Sequence, residues 1–118
     1  MKIYVGHSTS FDFKEELYSP IKALQSEHEF VLPHEGGGAP SNSVELMKEI
    51  GLMIAEVSYP STGLGIELGW ADQLGVKIVC IHKTDTNPSP SIATICKQVY
   101  SYANTDELKV VLSEMLKS

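Results

Sequence analysis

Five short apolar runs recur along the chain, each closed by glycine, proline or a polar cluster. They are Lys2–Gly6 (KIYVG), Glu29–Leu32 (EFVL), Leu52–Val57 (LMIAEV), Lys77–His82 (KIVCIH) and the weaker Gln98–Tyr102 (QVYSY). Runs this short and this continuously apolar suit strands covered on both faces, as in a parallel sheet. Helical spacing fills the gaps between them. Leu17, Ile21 and Leu24 share one helical face. Pro20 lies inside that pattern and predicts a kink or a start at Ser19–Pro20. Ser43–Ile50, capped by Ser41 or Ser43, and Gly65–Leu74, stopped by Gly75, are the next helices. Asp106–Leu116, with Thr105 as N-cap, closes the chain. Alternation of this kind predicts an α/β fold: a doubly wound, five-stranded parallel sheet flanked by helices, flavodoxin-like or Rossmann-like. Residues 1–118 read as one domain.

In such a sheet ligands sit beyond the carboxyl ends of the strands. The segments there are His7–Asp12, His34–Ser43, Glu56–Gly65 and Lys83–Ser91; Gly36–Ser43 reads as a mobile loop and Lys83–Ser91 as an exposed one. Composition narrows what can bind. Apolar residues make up 42% and charged residues 20% of the chain, an ordinary globular mix. The net charge is −6 and all nine basic residues are lysines. That argues against nucleic acid or an anionic membrane as partner, and it removes the guanidinium fork from any phosphate site. Cys80 and Cys96 lack CxxC spacing and read as packed, reduced thiols, which fits a cytoplasmic protein without a signal peptide or membrane span.

The segment Glu56–Gly69 (EVSYPSTGLGIELG) carries the most chemistry. A strand ends, a Ser58–Ser61 turn follows, and Gly63 and Gly65 open a helix. Glycines let a ligand approach the backbone, the new helix offers free N–H groups to an anion, and Ser61 and Thr62 add hydroxyls. Glu67 reads as a first-turn residue. Helix dipoles favour solvated acids there, yet Ile66 and Leu68 beside it are apolar and Gly65 and Gly69 are small. The Gly63-x-Gly65-x-x-x-Gly69 spacing misses the dinucleotide fingerprint, and it follows the third strand rather than the first, so no cofactor is expected. Glu56 reads either as a second working carboxylate or as a cap for local N–H groups. His7, His34 and His82 lie near strand ends without metal-ligand spacing, so no metal is expected; His7, with Gly6 and Ser8 beside it, is the best placed for a substrate contact. His28 reads as solvated. Tyr59 suits stacking on a base or packing at an interface, and Trp70 suits core or interface.

Ala55–Ala71 (AEVSYPSTGLGIELGWA), together with the opening KIYVG, resembles the signature of the nucleoside 2-deoxyribosyltransferase family, closest to its branch of small deoxynucleoside monophosphate N-hydrolases. The resemblance implies that Glu67 attacks the anomeric carbon, that Ser61 holds a 5′-phosphate and that Tyr4 hydrogen-bonds the nucleophile. It also implies a homodimer acting on a small nucleoside or nucleotide, by hydrolysis or transfer. The family's aspartate upstream of the glutamate falls on Ser43 here. Glu45, Asp12, His34 or His7 then substitutes for it, or the domain binds nucleotides with little or no turnover. A receiver-like module would need an acidic cluster after the first strand, and His7-Ser8-Thr9 supplies none.

Overall fold

The computed structural model describes residues 1–36 and 42–117. Its sheet contains β1 (Lys2–His7), β2 (Glu29–Val31), β3 (Leu52–Glu56), β4 (Lys77–Lys83) and β5 (Val99–Tyr102), all parallel, in the order β2-β1-β3-β4-β5. The expected doubly wound sheet is therefore present, and its topological switch lies between β1 and β3. Strand ends differ from the sequence reading by a residue or so. A π-helical turn, Lys14–Tyr18, runs into α1 (Ser19–Lys22). Pro20 has no N–H to return to the preceding turn, and the backbone is wound wide immediately before it. The remaining α-helices are α2 (Val44–Met47), α3 (Thr62–Gln73) and α4 (Thr105–Leu116), and a 3-10 helix spans Pro90–Thr94.

Capping explains where the helices begin. Ser43 Oγ accepts from Leu46 N at 3.0 Å. Ser61 Oγ accepts from Leu64 N, so α3 starts earlier than the expected Gly65. That corrects the position of Glu67: it sits in the second turn, where its side chain turns inward toward the sheet and is only 5% exposed. Asn104, rather than the expected Thr105, caps α4 through Glu107 N, and Glu107 returns a bond to Ala103 N. Gly75 follows α3 at φ 73°, a left-handed backbone that favours glycine.

The period of two along each strand sorts the core onto two faces. Ile3, Val5, Ile54, Ile81 and Tyr102 face Leu17 and Ile21 of the first helical segment and Leu108 and Leu112 of α4. Tyr4, Met53, Ala55 and Cys80 face Met47 of α2 and Leu64, Leu68 and Ala71 of α3. Both thiols are free and buried, and Cys96 Sγ donates to Ile78 O and Gln98 O. Among the described residues no helix is long and apolar enough to cross a membrane.

Glu56 ends β3 on the α1–α4 face, fully buried. Its Oε1 accepts from Ser58 N at 2.7 Å, and its Oε2 accepts from Ser58 Oγ at 2.9 Å and from the Tyr102 hydroxyl. Ser58 Oγ in turn accepts from Lys83 N at 2.8 Å. One carboxylate thus ties together the carboxyl ends of β3, β4 and β5. Burial, followed by the charge of Glu56 and the bond to it, raises the Tyr102 hydroxyl above its ordinary range and keeps it a donor. Removing the acceptor leaves these donors buried and unpaired. We expect Glu56→Ala to lose about 3–5 kcal/mol, and Tyr102→Phe at most about 3 kcal/mol, read from urea unfolding midpoints. A Glu56→Ala midpoint equal to the parent's would show that the network carries no stability.

Candidate functional site

β1 and α3 meet on the α2–α3 face at the switch point. There the Tyr4 hydroxyl donates to Glu67 Oε2, and Asn42 Nδ2 donates to the same oxygen at 2.7 Å. Burial, then the hydrogen bond to Glu67 and its charge, pushes the Tyr4 phenol well above its usual range, so Tyr4 remains protonated and donating. Gly6 follows Tyr4 by two residues and points to the same face. A Cβ added at Gly6 would stand 2.7 Å from Met53 Cε, 2.9 Å from Leu64 Cδ1 and 3.4 Å from Glu67 Oε1. The absent side chain is what lets Met53 and Leu64 pack this close to β1 beside the carboxylate.

Ser61, Thr62, Gly63 and Gly65 form the first turn of α3, with Thr62, Gly63 and Gly65 exposed. The Ser61 oxygen is already an acceptor from Leu64 N, and its proton is free to be donated outward. A cavity of about 240 Å³ opens beside this turn, walled by Val57, Tyr59, Ser61, Leu64, Leu68 and Ile92. Glu67 does not line it; Leu64 touches both regions.

Three expected site residues lie elsewhere. Glu56 faces the opposite side of the sheet from Glu67 and spends both oxygens on Ser58 and Tyr102, which corrects its reading as a second working carboxylate. The capping alternative is the one the geometry supports. Ser43, where the family's aspartate falls and which also reads as a substrate-binding position, is exposed, and its oxygen caps α2. His7 also turns to the α1–α4 face, 5% exposed. Its Nδ1–H donates to Ser8 O at 2.7 Å, because a carbonyl can only accept. Its Nε2 then accepts from the Tyr18 hydroxyl at 2.6 Å, and Tyr18 Oη accepts from His34 N at 3.0 Å. Both ring nitrogens are occupied, which corrects the reading of His7 as the substrate contact. Ser8 is buried and bonded to Ser10. Burial pushes the Tyr18 phenol up to about 12.

The alternative acids are no closer. Asp12 is exposed, Glu45 is exposed and bonded to Lys48, and the His34 ring packs at 5.2 Å from that of His7. His28, expected to be solvated, is half-buried and pairs with the chain's amino terminus through Nδ1 at 3.1 Å. Among the described residues no group of three or more His, Cys, Asp or Glu is placed to hold a metal. Most of the expected Gly36–Ser43 loop lies outside the described residues. The sequence reading missed Asn42, one residue before Ser43, and Tyr18, whose aromatic ring sat in a helical pattern with no polar signal.

Phe11 and Tyr59 close the other side of the switch point, with ring centroids 5.4 Å apart. Lys83 Nζ lies 4.9 Å from the Phe11 ring and 5.3 Å from that of Tyr59, bonds the Tyr59 hydroxyl at 3.1 Å and pairs with Glu16. Its desolvation lowers the Lys83 pKa, but the bonds to Glu16 and Tyr59 outweigh this and raise it. Tyr59 therefore packs against Phe11 and Lys83 within the chain.

No protein-family model matches the chain. A 37-residue segment, 31% of the chain, is 49% identical to a Methanococcoides burtonii protein provisionally named 2′-deoxynucleoside 5′-phosphate N-hydrolase 1, and the match spans 30% of that protein's length. Clostridium botulinum CMP N-glycosidase, BcmB, superposes over 96% of this chain and 99% of its own at a TM-score of 0.69 and 24% identity. That structure shares the fold. The resemblance read from the sequence, to the deoxyribosyltransferase family and its N-hydrolase branch, agrees with both.

Burial lowers the His7 pKa from 6.5, with a smaller contribution from His34 opposing the raising bond to Ser8. The unfolded chain then binds a proton that the folded chain refuses, so stability is full above the unfolded value and falls as pH drops through it. We expect the melting temperature to decline from about pH 7.5 to about pH 5.5, and His7→Phe to flatten that decline. Parallel curves for the two proteins would assign the pH dependence elsewhere.

Proposed function

We propose that the protein cleaves the N-glycosidic bond of a nucleoside or nucleoside 5′-monophosphate, ribo or deoxy, with Glu67 as nucleophile. The observation that carries the reading is a nearly buried carboxylate, aimed at a side-chain-free strand position at the topological switch and held by Tyr4 and Asn42. Supporting it are the names of the two similar proteins, one an N-hydrolase and one an N-glycosidase. In the first step a Glu67 oxygen bonds to C1′ while the C1′–N bond breaks and its electron pair leaves with the base. In the second, water attacks C1′ as the bond to Glu67 breaks and returns its electrons to the carboxylate, and the proton that water loses goes to the departed base, giving sugar hydroxyl and neutral base. An acceptor base in place of water gives transfer. A substrate phosphate would take the Ser61 hydroxyl and the free N–H groups of Thr62 and Gly63 at the start of α3. That arrangement needs no arginine.

A second reading, a nucleotide-binding domain with weak or no turnover, is favoured by one observation: where the family carries an aspartate, this chain has the capping hydroxyl of Ser43. A serine is not a general acid at neutral pH. Nucleotides that raise the melting temperature without releasing base would support it. A homodimer is what the family resemblance implies, read by sedimentation at micromolar concentration, and a cytoplasmic location is what the unpaired thiols of Cys80 and Cys96 suggest.

Free base should appear when the protein is incubated with a panel of nucleosides and monophosphates. Glu67→Gln should reduce release by at least about 1,000-fold, and Tyr4→Phe by about 10- to 100-fold, the worth of one hydrogen bond to a charged group. Equal release by Glu67→Gln and the parent would end the nucleophile assignment. Ser61→Ala should raise KM for monophosphates more than for nucleosides, with about 1 kcal/mol lost as a helix cap. An equal rise for both substrates would remove Ser61 from the phosphate site.

A further inference from the structure

Glu67 has two oxygens, and the structure treats them differently. Oε2 accepts from both Tyr4 Oη and Asn42 Nδ2. Oε1 has no partner among the described residues, and no fully buried side-chain oxygen there lacks one, so Oε1 touches solvent. It is also the oxygen nearest the empty Cβ position of Gly6.

We infer that Oε1 is the attacking oxygen, and that Asn42 is a positioning residue that fixes it by holding Oε2 jointly with Tyr4. The inference rests on the glycosidic reading above and deepens it. Two donors on one oxygen stop the carboxylate from rotating, because any turn breaks a bond in a desolvated place. With both donors on Oε2, the lone pairs of Oε1 stay unshared until the anomeric carbon arrives. Gly6 lets Met53 and Leu64 pack against β1 beside Oε1, where an added Cβ would press on both side chains and on the carboxylate. As an amide, Asn42 donates without bringing a second negative charge beside Glu67, which an aspartate there would do. It orients the attack and supplies no proton to the leaving base.

The test measures base release by the parent, Glu67→Gln, Asn42→Ala, Asn42→Leu and Gly6→Ala, together with the rate at which a slow 2-fluoro-2-deoxy nucleoside substrate adds its sugar mass to the protein. Asn42 lies outside the helices, and melting temperatures check that each variant is folded. A positioning role predicts that both Asn42 variants lose about 10- to 100-fold in kcat, with KM within about twofold of the parent. Sugar capture should slow in parallel, and Gly6→Ala should lose at least about tenfold in kcat while still folding. If Asn42→Ala and Asn42→Leu keep the parent's kcat while Glu67→Gln is inactive, the inference fails and the glycosidic reading stands. A change confined to KM also overturns it, by making Asn42 a substrate contact. If the parent releases no base from any substrate, both readings fall together.

Discussion

Carboxylates inside a protein need hydrogen-bond donors, and meeting that need organises the carboxyl edge of this sheet. Two acids are buried there, one on each face. Glu56 receives three bonds and is fully spent, so it behaves as a clasp across β3, β4 and β5. Glu67 receives two, both on one oxygen. What separates the two carboxylates is that one oxygen of Glu67, Oε1, has no partner among the described residues. Around that difference the rest is support: strands that alternate side chains between faces, a helix whose start is set by Ser61, and a glycine where a side chain would collide with Met53 and Leu64.

The clasp also fixes what surrounds the turn after β3. Ser58 is held by Glu56 and holds Lys83, and the same turn carries Tyr59, which meets Phe11 under the Lys83 ammonium. One face of the switch point is thereby sealed with aromatic rings and an ion pair, and the other is left to Gly6, Asn42 and the start of α3. The cation that a basic phosphate site would use is already committed to Glu16 and Tyr59. Hydroxyl and backbone donors at Ser61 to Gly63 remain for any anion.

Much of the fold was legible because parallel strands announce themselves through β-branched runs such as LMIA and KIVCI, and because the gaps between them hold helical spacing. Glu67 stood out by its apolar neighbours and by the motif around it. What escaped was sidedness and reach. A one-residue step along β3 or β1 moves a side chain through the sheet, and strand-end position alone did not show that Glu56 and His7 lie across it from Glu67. Asn42 arrives from a connection whose path no local pattern constrains, so its contact with Glu67 is a tertiary fact. Ser43, the residue that sequence spacing picked out instead, is spent on the helix that begins beside it. The missed start of α3 was a capping problem: Ser61 precedes glycines that read as loop, yet its hydroxyl begins the helix there.

The two cysteines have a consequence of another kind. Cys80 and Cys96 are buried together behind β4, and burial first, then their mutual hydrogen bond, raises the Cys80 thiol well above its usual range. Neither is reactive while the sheet is closed, since only an exposed thiolate attacks an electrophile. Their labelling rate under native conditions is therefore a clock for separation of β4 from the segment leading into β5, written into the chain without any introduced probe.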